Sequence, residues 1–228
     1  MFKYPATVIK TNLAWKFLED HSFDHLRIGD IWLTSSKDSQ FGKLIRRVTS
    51  WHGDPVTYNH IAGYTGSGNI LEALHMVTER LGKPYFRSSN KLKIIRNRAW
   101  NQRQRAAILF QAKKYTGMPY GYLKVFLLQG LDCVFRTDKF TRCFSITPLP
   151  YCSQLWAQAV AMAGIAGKIN GKHPKSVNPD DWDDEAERNE DWQTVLEHDG
   201  KNCRIEGQTV STLEKFLANY NYLNDSND

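Results

Sequence analysis

Cys152 is the cysteine of this chain that opens a helix-like stretch: Tyr151-Cys152-Ser153-Gln154-Leu155-Trp156 runs into a stripe of Leu155, Trp156, Ala159, Val160 and Ala163 that Gly164 ends. A helix N-terminus presents unpaired N–H groups and the positive end of the peptide dipole, and both favour the thiolate, which is the nucleophilic form of cysteine. Such a thiol needs a base to take its proton and a third group to orient that base. The stretch from Tyr58 to Ala73 holds both. Its Thr65-Gly66-Ser67-Gly68-Asn69 centre is turn chemistry between β-favouring residues, which predicts a hairpin. A turn centred on Gly66 would set His60 directly opposite Glu72, with Cβ atoms roughly 4.5–5.5 Å apart on one face of the sheet. Cys152 as nucleophile, His60 as base and Glu72 as its orienting partner form the expected triad. The Cys152 backbone N–H would face the developing oxyanion. Tyr151, Ser153, Gln154 and Asn59 are the weaker candidates for a second donor or for lining the site.

Each element also has a plainer reading. A cysteine early in an apolar helix is often inert core, a histidine in a strand is often a satisfied core or surface residue, and a Glu opposite it can be a simple cross-strand pair. Tyr151 suits packing and Ser153 suits a cap. The three elements together carry the chemical reading. Cys133, Cys143 and Cys203 have no comparable setting and are assigned to packing.

The elements that must position these residues follow from periodicity. Residues 12–20 read as a short helix after Asn12, Ile31-Trp32-Leu33 starts a strand after the Gly29-Asp30 turn, and residues 39–49 read as a helix. A strand spans 91–96, and a helix from about 102 to 115 is expected to bury Ala106, Leu109 and Phe110 before Gly117-Met118-Pro119 stops it. Residues 168–191 are polar and acidic, which predicts a long loop, with the acidic part at 180–191 a conceivable lid. Weak strands are expected at 193–196 and 202–205, and a terminal helix at 210–217.

A chain of 228 residues with 41% hydrophobic content can bury one sizeable core, so a single domain over 1–228 is expected. Four irregularly spaced cysteines do not make a disulfide framework, and without a C-x-x-C pair a metal site is not expected. No apolar run approaches the roughly 20 residues of a membrane span, and the N-terminus lacks a signal-peptide core, so a cytoplasmic protein is expected, with export by another route left open. The formal charge of +6 is unevenly spread. Residues 80–105 hold nine basic side chains and no acid, whereas 180–191 hold eight acids and one base. Two readings stand: solvated faces that partly neutralise one another, or a docking surface for phosphate-rich lipid or nucleic acid. No specific nucleic-acid contact is predicted.

The order Gly29-Asp30-Ile31, Tyr58 to Tyr64 (Tyr-Asn-His-Ile-Ala-Gly-Tyr), Leu71-Glu72-Ala73, Gly117 to Gly121 (Gly-Met-Pro-Tyr-Gly) and Tyr151 to Leu155 resembles the circularly permuted papain-like hydrolases of NlpC type, a group that includes lecithin–retinol acyltransferase. The resemblance covers about residues 26–196. Asn178-Pro179-Asp180-Asp181-Trp182 also resembles a downstream segment of bacterial and viral members. Gln154 stands where many relatives carry Glu, and Asn59 where a small residue often precedes the histidine. The resemblance implies an α+β fold with the cysteine helix packed on an antiparallel sheet, an acyl-enzyme mechanism and no cofactor. It leaves the substrate open between a peptide or other amide and a lipid acyl group, and a non-catalytic module that retains only the fold is the third reading.

Overall fold

The computed structural model describes residues 6–36, 57–86, 90–121, 150–165, 167–199 and 202–206, together with 131 and 135. The helices expected at 39–49 and 210–217 lie outside the described residues. Eight strands, β1 (Ala6–Lys10), β2 (Ile31–Ser36), β3 (His60–Gly66), β4 (Asn69–Ala73), β5 (Val77–Leu81), β6 (Asn90–Asn97), β7 (Trp192–His198) and β8 (Asn202–Glu206), form one sheet in the order β1-β8-β7-β6-β2-β3-β4-β5. Every neighbouring pair is antiparallel. Among the described residues four longer α-helices accompany it: α1 (Thr11–Asp20), α2 (Gln102–Lys113), α3 (Cys152–Met162) and α4 (Pro179–Arg188). The protein is therefore α+β.

Alternation along the strands divides the interior in two. Ile31, Leu33, Ile61, Leu71 and Ile95 face a core shared with Ile108 of α2, Leu155 and Trp156 of α3 and Trp182 of α4. Trp32, Ala62, Tyr64, Ile70 and Ile94 face the other core, closed by Leu13, Phe17 and Leu18 of α1. The start of β2 is fastened by Asp30, which is fully buried and accepts from Arg96 at 2.8 and 2.5 Å, from the Arg27 backbone at 2.8 Å and from Arg105 at 3.5 Å. The Asp30 carbonyl also accepts from the Tyr64 backbone at 2.8 Å, tying this ion cluster to β3.

Three expectations are corrected. The 102–115 helix turns a shifted face inward: Arg105, Ile108 and Ala112 are buried and Leu109 packs half-buried against the core as expected, whereas Ala106 is exposed and Phe110 is 64% exposed. Arg105 shares the inward face with Ile108 and Ala112 because its guanidinium is satisfied there by the Trp100 and Asn97 carbonyls and by Asp30. The stretch 168–191 is not a long loop, because α4 occupies 179–188. Asn178 and Asp181 form a reciprocal capping box with Pro179 in the first turn, so the acids stand where the positive end of the helix dipole favours them. Buried Trp182 then anchors α4, its ring edge-on to Trp192 at 5.7 Å. The third correction concerns register: Glu72 faces Ala62, not His60. The turn is centred on Ser67-Gly68, both at positive φ (49° and 78°), and the register shifts between Tyr64 and Gly66. A two-residue turn with both central residues left-handed matches the twist of a hairpin; it sets Gly66 opposite Asn69, and the bulge then takes back one residue, so His60 ends two residues from the position opposite Glu72.

The two charge blocks touch at Lys93 and Arg98, and several of their other members find partners elsewhere. Lys93 pairs with Asp183 at 2.5 Å and Glu187 at 3.6 Å, and Arg98 donates to the Glu190 carbonyl. The Thr57 backbone donates to Asp180 at 3.3 Å, while Asp181 accepts from Lys172 at 2.7 Å and Asn170 at 3.0 Å. Arg80, Arg96 and Arg105 of the basic tract also bind internal carboxylates. No helix among the described residues is long and apolar enough to cross a membrane.

Candidate active site

Cys152 is the first residue of α3 and is 2% exposed. The N-cap residue, Tyr151, makes no side-chain cap bond, so the first N–H groups of the helix are left to other partners. What sets the height and tilt of α3 is a close approach at Gly63. A Cβ there would lie 2.1 Å from the Trp156 ring, so only glycine admits the indole, whose Nε1 donates to the Leu71 carbonyl at 3.2 Å. Ser153 donates to the Val177 carbonyl at 2.7 Å, and Gln154 and Tyr151 both donate to the Lys175 carbonyl at 3.2 Å. Three of the four weaker site candidates thus hold the segment leading into α4. Asn59 is buried, its backbone N–H donating to Thr34 at 3.0 Å while its Nδ2 has no hydrogen-bond partner among the described residues.

His60 opens β3, and its side chain is 12% exposed. Because Glu72 opposes Ala62, His60 lies diagonally from Glu72 on the same face, and the two long side chains close the gap. Nε2 meets Glu72 Oε2 at 2.6 Å. The Nε2–H donates there, which leaves Nδ1 for the Cys152 thiol, and the thiol is within hydrogen-bond reach of both His60 and the Ile61 backbone N–H. The structure therefore brings Cys152, His60 and Glu72 together from α3, β3 and β4.

The electrostatics favour a thiolate–imidazolium pair. Burial works against the thiolate of Cys152, but the hydrogen bond and charge of His60, the Ile61 N–H and the Tyr120 hydroxyl outweigh it and lower the thiol pKa. Burial likewise works against the imidazolium, yet Cys152 and then Glu72 hold the His60 pKa up at about 10. Glu72 is fully buried, which alone would raise its pKa. The bonds from His60 and Tyr85 and the charge of Arg80 keep it lowered and ionised.

Three groups at the site were not assigned roles from the sequence. The Tyr120 hydroxyl stands 4.0 Å from Cys152 Sγ and also faces the Cys152 backbone N–H; burial and the neighbouring thiolate raise its pKa, so it remains an O–H donor. The Gly-Met-Pro-Tyr-Gly segment was the available signal, though nothing in its spacing gives Tyr120 a role. Tyr85 donates to Glu72 Oε2 at 2.5 Å, and Arg80 contacts Oε1 of the same carboxylate. A lone tyrosine and an arginine inside a basic tract carry no such signal. No group of His, Cys, Asp and Glu among the described residues is arranged to hold a metal ion.

Comparison of the chain with known proteins found no matching family model, no matching curated protein and no matching solved structure.

Proposed function

We propose that this chain is a cysteine hydrolase of the permuted papain-like, NlpC-type group, acting on amide or peptide bonds through an acyl-enzyme. The observation that carries the reading is the contact of Cys152, at the first turn of α3, with an imidazole that is itself bonded at 2.6 Å to a fully buried carboxylate. An inert core cysteine has no use for a charged partner, and a module that kept only the fold would not need the costly burial of Glu72. The chain order His60, Glu72, Cys152 and a helix packed on an antiparallel sheet support the permuted assignment.

In the proposed reaction the Cys152 thiolate attacks the carbonyl carbon, and the electron pair moves to oxygen. We assign that oxyanion to the Cys152 backbone N–H, which in the resting site donates to the Tyr120 oxygen, with the Tyr120 O–H as second donor. As the carbon–nitrogen bond breaks, His60 passes its Nδ1 proton to the leaving amine. Water then gives a proton back to His60 and attacks the thioester, releasing the acid and regenerating the thiolate. No cofactor enters the scheme. A lipid acyl substrate would call on the basic tract for its headgroup, and four of its members, Arg80, Lys93, Arg96 and Arg105, are instead engaged with internal carboxylates, which favours the amide reading.

The test is turnover of a panel of peptide and cell-wall amides without membranes, alongside acyl lipids in anionic vesicles, with mass spectrometric trapping of an acyl adduct. Amide cleavage with an adduct on Cys152, absent in Cys152→Ala, is expected. Vesicle-dependent acyl transfer with no amide cleavage would shift the reading to the lipid branch. An adduct on no residue with any substrate would leave the non-catalytic module.

A further inference from the structure

His60, Glu72 and Arg80 form one diagonal row across β3, β4 and β5. Glu72 faces Ala62 on one side and Thr78 on the other, so His60 and Arg80 each stand two residues along, on the same face as the carboxylate. Tyr85 comes from a 3-10 turn, Lys83–Phe86, anchored by buried Phe86 against Trp15 and Trp32. Its ring lies nearly parallel to the His60 ring, 17° apart with centroids at 6.1 Å, and its hydroxyl accepts from Arg80 Nη2 at 3.0 Å while donating to Glu72. The Arg80 guanidinium also sits over the Tyr85 ring at 5.6 Å. One buried carboxylate thus accepts from His60 and Tyr85 on Oε2 and forms an ion pair with Arg80 through Oε1, and Arg80, with its side chain 42% exposed, closes it from the solvent side.

We propose that Arg80 and Tyr85 are positioning residues of the active site, locking the Glu72 carboxylate toward His60 and dividing its negative charge between the imidazole and the guanidinium. The inference rests on the catalytic reading above. Without the clamp, Glu72 would still meet His60, but the carboxylate would be free to turn. Its whole charge would also fall on the imidazolium, making His60 a poorer proton donor to a leaving group. The titratable groups bearing on His60 are Cys152 on α3, Glu72 on β4, Arg80 on β5, Tyr85 on the 3-10 turn and, through the thiol, Tyr120.

The experiment follows the His60 ring by NMR from pH 6 to 11 in the full chain, together with the alkylation rate of Cys152 in the same samples. In Arg80→Met the His60 midpoint moves up, enough to change the imidazolium-to-imidazole ratio near the wild-type midpoint by about threefold or more. Arg80→Lys restores much of the wild-type behaviour, and Tyr85→Phe moves the midpoint the same way. In a Glu72→Gln background the Arg80 substitution has no further effect, as required if it acts through that carboxylate. Should Arg80→Met fail to fold, Arg80→Lys and Tyr85→Phe, which keep the charge or the ring, carry the test. Unmoved midpoints in variants that merely melt earlier would overturn the clamp while leaving the triad intact. A wild-type His60 titrating near 6.5 with an ordinary Cys152 would instead remove the catalytic reading itself.

Discussion

Replacing His60 with alanine tests the pairing at the centre of the site. In the wild type, His60 is the first and strongest influence that overcomes burial to favour the Cys152 thiolate. In His60→Ala the Ile61 N–H and Tyr120 hydroxyl remain to offset burial, but the cation is gone, so the thiol returns toward an ordinary pKa. An ordinary thiol of pKa about 8.5 is only about 0.3% ionised at pH 6, so full ionisation raises the thiolate population by at most about 300-fold. A thiolate of lower pKa is also a weaker nucleophile, and with a Brønsted slope of about 0.4–0.5 roughly half of that logarithmic gain is lost. Alkylation of Cys152 at pH 6, read peptide by peptide by mass spectrometry, is therefore expected to fall between about 10-fold and 300-fold in the variant. The cavity left by the imidazole would widen access to a thiol that is only 2% exposed, so any steric effect opposes the predicted loss. Equal rates at pH 6 in the two proteins, with the same apparent pKa near 8.5, would refute the ion pair.

Three further outcomes follow from particular contacts. Gly63→Ala drives a methyl into Trp156 and forces α3 off β3; a loss of about 1–3 kcal/mol in urea unfolding is expected, with slower Cys152 alkylation in the folded fraction. Asp30→Asn leaves Arg96 without its buried counter-charge, so a loss of about 3–5 kcal/mol is expected in the same assay, and a change under about 1 kcal/mol would contradict the role given to the cluster. Burial and then the neighbouring acids of α4 push the Asp180 pKa up to about 6. Because the folded value is raised, its contribution to stability is present below the unfolded value of about 3.9 and is lost as pH rises through 6. Asp180→Asn keeps an acceptor for the Thr57 N–H, so the variant is expected to melt a few degrees above wild type at pH 7.5 and level with it near pH 3.5; an equal difference at both pH values would show that ionisation is not the cause.

Much of the scaffold was legible because local rules determine it. The Leu155, Trp156, Ala159, Val160 stripe marked α3 and placed Cys152 at its start, and the Thr65 to Asn69 turn chemistry marked the β3–β4 hairpin that carries His60 and Glu72. Side-chain periodicity and positive-φ turns act over a few residues, so one strand of sequence contains them. Where prediction and structure part, the deciding partner is distant in the chain. The face that α2 buries admits Arg105 because Asp30, 75 residues away, is among the groups that satisfy its guanidinium. The acids of 180–191 read as a loop until the Asn178 box, Trp182 and the Lys93 pair fix them as a docked helix. The His60–Glu72 register was missed by two residues because the turn centres on Ser67-Gly68 rather than Gly66 and a bulge takes back one residue, neither of which composition records, yet the side chains still meet, since a shift of two preserves the face of the sheet. The sequence by itself determined which residues could do the chemistry and on which kind of element each would sit. Only the tertiary structure decided that Arg80, Tyr85 and Tyr120 join them, because hydrogen bonds to a buried carboxylate and a thiol depend on where three strands, a turn and a helix end converge.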